Sequence, residues 1–334
     1  MKRKEISKSR FLYGIYKYWI DIAKGIGIVL VVLAHTQSLD SSISSLIYSF
    51  HMPLFFILSG YLLKSYNKSE SIKKIALHKA HRLLLPLFCY MLLIVVPMEY
   101  SACMNHKTSF FNAGWRFINV YTSQRATAFW FPFALFESIL GYYLLRKFFH
   151  VRMEGVIYIY ISLMLLSLGY FLDVLNIEQK YIPLGLNRIL VIIPLLVFGT
   201  WYKQNEMQLP VVLVYSLAGL IALLSLFFLP SSQVDMKNGH WGIPYLSFMV
   251  ACSFTLLIIG FSKIIEKIFV LREILAYLGK ASLTIMFLHI VAWFVVREYI
   301  GGITGLILTL LLCCVIHFII SRIRILRYLL VGTP

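Results

Sequence analysis

The chain has 334 residues, of which 60% are apolar and only 13% charged, and its mean hydropathy is +0.81; soluble domains carry roughly 25% charged residues, so a water-soluble core is excluded. The net charge of +17 sits in short basic clusters between apolar runs and not along one soluble face. That pattern excludes nucleic acid as a partner and points to membrane topology and anionic lipid.

Residues 1–17 are a basic segment assigned to the cytoplasm. No small-residue cleavage site follows a short apolar region there, so the first apolar run reads as a retained helix and not as a signal peptide. Runs close to the ~20 residues that cross ~30 Å of hydrocarbon predict helices over 18–36, 46–64, 83–98, 129–145, 155–173, 183–201, 210–229, 242–261, 281–297 and 303–321. The expected fold class is all-α and integral to the membrane: about ten transmembrane helices over 18–321, then a basic cytoplasmic tail, 322–334. With the N-terminus inside, 23 Lys and Arg fall on the cytoplasmic side and seven outside, Lys24 lying within the first helix. This asymmetry follows the positive-inside rule and assigns both termini to the cytoplasm. The one long outer connection, 99–128, carries His106, Trp115, Arg116 and Arg125; it either covers an outer cavity or lies on the bilayer. Of the five cysteines, Cys89, Cys252, Cys313 and Cys314 sit in apolar runs and Cys103 stands alone in a connecting segment. Neither a disulfide framework nor a metal site is expected.

The informative residues are the polar ones inside apolar runs. Asp21, Lys24 and His35 interrupt the first helix, and a charge at mid-bilayer costs roughly 2.5–3.5 kcal/mol, so they are expected to face protein or water. His35 lies about 20° around the helix from Lys24 and about 40° from Asp21, which makes one polar stripe. Asp21 and Lys24, three residues apart, are placed to neutralise each other. In the second helix His51 precedes Pro53 near the outer surface, and the short connection between the two helices brings His35 and His51 to similar depth. Each is either a hydrogen-bonded interior histidine or an imidazole available for proton transfer near pH 7. Below them, Ser59 and Gly60 suggest a close helix contact. On the opposite surface His78, Lys79, His81 and Arg82 open the third helix; they are either a topology signal or a site for phosphoryl oxygens. Glu137 in the fourth helix is a further polar outlier, and His289 is placed in the inner half of the ninth, away from the depth of His35.

The stretches DIAKGIGIVLVVLAH, FHMPLFFILSGYLL, HRLLLP, AFWFPFALF and GKASLTIMFLH occur in that order. Together they resemble the membrane acyltransferase-3 family, and within it the fucose 4-O-acetylase-like branch of O-acetyltransferases. The resemblance implies a ten-helix enzyme of the bacterial cell membrane. Such an enzyme takes an acyl group, commonly acetyl, from coenzyme A inside and delivers it to a sugar hydroxyl of a glycan or lipid-linked acceptor outside. His35 matches the essential histidine of the family's first helix, and Arg82 the last arginine of its basic motif. Lys79 stands where the family commonly has a second arginine, and Lys24 where many members have arginine; both keep the charge, but Lys79 loses the bidentate guanidinium.

These readings combine into one expected site. Lys79 and Arg82, with Lys24 deeper, hold the acyl-CoA donor; His35 acts as base or as transient acyl carrier; His51 orients it or stabilises an oxyanion; Arg125, Trp130 and Arg188 line the acceptor side, Trp130 being otherwise an interfacial aromatic. No metal takes part. The alternative is a proton-coupled transporter of an anionic solute, which the absence of matched repeat halves disfavours.

Overall fold

A computed structural model describes residues 17–37, 39–64, 71–105, 107, 109, 111–112, 128–149, 156–175, 185–227 and 234–333. Helices occupy all ten stretches chosen by hydropathy: α1 (Tyr18–Thr36), α2 (Ser41–Tyr61), α3 (Ile72–Tyr90), which runs on through a π-helical turn at Met91–Val95 into α4 (Val96–Met104), α5 (Trp130–Phe148), α6 (Val156–Val174), α7 (Asn187–Asn205), α8 (Val211–Ser225), α9 (Leu246–Ile265), α11 (Ser282–Val296) and α12 (Gly302–Arg322). Two short helices, α10 (Phe269–Lys280) and α13 (Arg324–Leu330), and a hairpin of β1 (Val234–Asp235) and β2 (His240–Trp241) complete the described chain. Among the described residues six helices are long and apolar enough to cross a membrane: α1, α2, α3–α4 together, α6, α9 and α12. A seventh span results if α10 and α11, which meet at 78°, count as one.

Local sequence explains where these elements depart from the apolar runs. The third helix begins at Ile72 and not near 83 because its first turns are amphipathic, carrying Lys73, Lys74, His78 and Lys79. Its π turn precedes Pro97, a residue that offers no N–H and crowds the carbonyl one turn back, so the ladder shifts register there. α10 also has one apolar face, which lies along α1. The crossing is close because both helices use glycine: Gly25 meets the backbone of Leu275, and Gly279 the backbone of Asp21. The contact expected at Gly60 is present, against the backbone of Leu196 on α7, and Gly199 of α7 returns it against Ile57.

The two ends of the bundle are chemically distinct. At one end Tyr143 donates to the carbonyl of Lys64 (3.1 Å) and Lys203 to that of Leu63 (3.1 Å), so the ends of α2, α5 and α7 are level. Glu206, just past α7, is clasped there by Lys17 (3.1 Å), Lys263 (3.0 Å) and the Tyr61 hydroxyl (2.5 Å). Burial pushes the Glu206 carboxyl up, but the hydrogen bonds from Tyr61, Lys263 and Lys17 outweigh it and hold it below the usual carboxylate range. The opposite end carries His35, the start of α5 and the hairpin. Between the ends the interior is packed with Ile28, Val31, Val32, Phe55, Phe56 and Ile285, all buried.

Candidate active site

Three imidazoles and a phenol meet at the end of the bundle opposite the Glu206 clasp. The His35 ring lies 5.4 Å from that of His289 on α11, tilted by 35°, and 6.2 Å from the Tyr48 ring, edge to face. Tyr48 in turn stands edge-on to His51 at 5.1 Å. His35 and His51 are thus neighbours through Tyr48 and not face to face. The placement of His289 corrects the expected one. The expected helix, 281–297, coincides with α11, but Gly279 just before it packs on the backbone of Asp21, so α11 starts already part-way along α1 and brings His289 against His35.

The rings differ in freedom. His51 and His289 are buried, and each places Nδ1 on backbone carbonyls one turn back: Ile47 O at 2.7 Å, and Ile285 O and Met286 O at 2.9 Å. A carbonyl only accepts, so Nδ1 carries the proton and Nε2 of the neutral ring is an acceptor. The His289 Nε2 is buried and has no hydrogen-bond partner. Neutral His51 therefore has no N–H left for an oxyanion, and of its two expected roles the geometry fits orientation, through Tyr48. His35 is exposed and makes no hydrogen bond among the described residues.

The hairpin brings charge to this cluster. Asp235 takes the backbone N–H of Lys237 (3.1 Å) and of Asn238 (3.2 Å), which fixes a turn closed by Gly239 at φ +79°. Asp173 of α6 then ties the far strand, accepting from the Trp241 N–H at 2.7 Å and meeting His240 at 3.0 Å. With Trp241 buried as an anchor, Lys237 is carried to within electrostatic reach of His35, and Asp235 to within reach of Tyr48. Burial, opposed by the Asp235 carboxylate and joined by Arg188, holds the Lys237 ammonium below its usual range.

Trp130 and Arg188 adjoin this group. Trp130 is buried against Phe56 and Phe131, which places it inside the bundle and not in a lipid-facing aromatic belt. The Arg188 guanidinium stacks over it at 5.8 Å, rests on Gly185, whose missing side chain makes room, and is within electrostatic reach of Glu137 and Asp235. Arg188 is itself only 1% exposed, so it braces Trp130 more than it presents a surface. Arg125 lies outside the described residues, as do His106, Trp115 and Arg116.

Lys24 pairs with Asp21 at 3.3 Å, as their spacing predicts. At the end with the clasp, Lys79 is half-buried and Arg82 exposed on α3; His78 feels both, and Lys64 at the end of α2 joins them. Among the described residues no carboxylate pairs with Lys64, Lys79 or Arg82. The C-terminal segment closes over this motif: the Tyr328 ring lies 4.4 Å from His81, and Gly332 packs on the Arg82 backbone.

The arrangement is an accessible imidazole at one end, a cluster of cations that no carboxylate among the described residues pairs at the other, and one helix, α1, running between. A family model described as an acyltransferase domain matches residues 17–323. The chain belongs to the acyltransferase-3 family. No curated protein and no solved structure gives a match. The family makes this protein a membrane acyltransferase. Sequence reasoning missed four residues that this acyltransferase brings to its two polar ends: Tyr48, Lys64, Asp235 and Lys237. For the last two a signal existed, since Asp235 followed by Asn238-Gly239 is turn chemistry. For Tyr48 and Lys64 nothing distinguishes them from an interior tyrosine and a boundary lysine.

Proposed function

We propose that this acyltransferase takes an acyl group, acetyl in the first instance, from acyl-CoA at the end bearing Lys79 and Arg82. It then passes the group to a hydroxyl of a cell-surface glycan or lipid-linked sugar at the end bearing His35. This is the reaction of the fucose 4-O-acetylase-like branch, in a bacterial cell membrane, with ten spans and both termini on the donor side. The observation that carries it is His35: exposed, unbonded and flanked by the bare Nε2 of His289.

Lys79, Arg82 and Lys64 bind the donor phosphates, and Lys24 lies on the path above them. As base, His35 takes the acceptor proton while the oxygen attacks the thioester carbon; the C–S bond breaks and the imidazolium returns the proton to the thiolate. As nucleophile, the same nitrogen first forms an acyl-imidazole and releases coenzyme A, and the acceptor then removes the acyl group. In both routes His289 receives a hydrogen bond from a protonated His35, and Lys237 offers positive charge to the developing oxyanion. Trp130 stands on the acceptor side with Arg188 braced behind it, and Arg125 is assigned to the same side.

Purified protein in detergent, given acetyl-CoA and a panel of glycans, should release coenzyme A. His35→Ala should lower that release by at least a hundredfold, and release at the wild-type rate would overturn the assignment. Arg82→Ala should weaken binding of coenzyme A more than of dephosphorylated pantetheine; equal losses would remove the phosphate site. Cysteines placed at Ser42 and Ser71 should be labelled from opposite sides of the membrane, and labelling from one side would overturn the topology.

A further inference from the structure

A large cavity lies away from the imidazoles. It is an open groove of about 830 Å³ on the outer surface of the bundle, where α5, α6, α7 and α9 fail to close on one another. Its walls are apolar, with Leu163 and Leu166 on one side and Val197 and Phe198 on the other. Along α7 it runs from Pro194 to Asn205, about 16 Å at the helical rise, which is one leaflet of a ~30 Å hydrocarbon core. Tyr245 ends it at the far side, its hydroxyl 2.8 Å from that of Ser167.

The polar groups gather at the other end, level with the Glu206 clasp. Arg146 is among them. Its Nη1 donates to the Tyr142 hydroxyl at 2.8 Å and its guanidinium lies over the rings of Tyr142 (5.6 Å) and Tyr158 (5.9 Å). Its Nε is buried without a hydrogen-bond partner, as is the Ser162 hydroxyl on the same groove. Among the described residues no carboxylate lines the groove and none pairs with Arg146. A guanidinium facing lipid without a counter-ion is costly, and phosphate is the partner that its fork matches.

We infer that this groove is a binding site for one anionic phospholipid, its acyl chain along α6 and α7 and its phosphate on Arg146. Charge complementarity selects the head group: a zwitterionic lipid brings an ammonium for which the described lining offers no carboxylate. The site is independent of the transfer chemistry, so His35→Ala should bind lipid as wild type does.

Native mass spectrometry of the detergent-purified protein, titrated with phosphatidylglycerol and with phosphatidylethanolamine, tests it. Wild type should retain one phosphatidylglycerol with roughly tenfold preference. Arg146→Ala should abolish the preference, Arg146→Lys should keep most of it, and Ser162→Trp, which fills the groove, should lower retention of both lipids. The last two variants decide the matter should Arg146→Ala not fold. Wild-type preference in Arg146→Ala or Ser162→Trp, no preference in wild type, or displacement of phosphatidylglycerol by a polyprenyl phosphate would overturn the assignment.

Discussion

The α2–α7 crossing gives a quantitative test because its geometry leaves no room for a methyl group. A Cβ on Gly60 would overlap the Leu196 carbonyl oxygen and lie 2.7 and 2.8 Å from Leu196 Cα and C, where ordinary contacts are 3.4–4 Å. These are backbone atoms that no rotamer change can move, so the helices must part by roughly 1 Å, and overpacking of this kind costs about 1–3 kcal/mol. Alanine recovers about 0.5–1 kcal/mol through its better helix propensity. The net expectation for Gly60→Ala is a loss of about 0.5–2 kcal/mol, with more for Gly60→Val. Gly219, on α8, supplies the control: nothing lies within 4 Å of its Cβ position, so Gly219→Ala should gain about 0.5–1 kcal/mol. Reversible unfolding in mixed micelles, or melting in one detergent, measures both. Equal stability of the two variants would refute the close crossing and with it the placement of His51 on α2.

Three further outcomes follow from the two ends. His289→Ala should lower the rate of coenzyme A release at saturating substrate at least tenfold, with little change in KM for the donor; a change confined to KM would show that His289 does not serve His35. Lys237→Ala should lower kcat/KM for the acceptor roughly tenfold, with Lys237→Arg restoring most of it, and initial rates across acceptor concentrations check this. The depressed Glu206 carboxyl contributes stability that is present above its unfolded value, about 4.3, and lost as pH falls through its lower folded value. Glu206→Gln should cost about 1–3 kcal/mol at pH 7, and the difference from wild type should shrink below about pH 4.

Much of this architecture was legible because hydrocarbon imposes a simple rule: apolar runs of span length become helices, and all ten stretches did. The Asp21–Lys24 pair and the small-residue contact at Gly60 were likewise legible, since both depend on spacing along one helix. What could not be read depends on how elements sit relative to one another. α10 lies outside the apolar runs of span length, and its close crossing of α1 at Gly25 and Gly279 cannot be seen from either segment alone. The packing of Gly279 on Asp21 then sets where α11 starts along α1, and with it the depth of His289. The hairpin was missed because strands of two residues leave no periodicity, although the Asn238-Gly239 turn was in view.

The packed middle of α1 bears on what crosses the barrier. Ile28, Val31 and Val32 share one buried apolar cluster with Phe55 and Phe56, so along α1 apolar side chains separate Lys24 from His35. Whatever passes must move these side chains and give up its water. For a sugar that means several hydroxyls, at roughly 2–7 kcal/mol each for an unpaired group. An acyl chain on a thin flexible arm exposes far fewer polar groups and is itself apolar. On the proposed reading, packing that excludes a glycan admits an acyl group, and that puts the base at the acceptor end and the donor-binding cations at the other. On the same reading His35, whose two ring nitrogens are free among the described residues while each of its two neighbours has Nδ1 bonded, is the imidazole that can turn to meet a thioester from one side and a hydroxyl from the other.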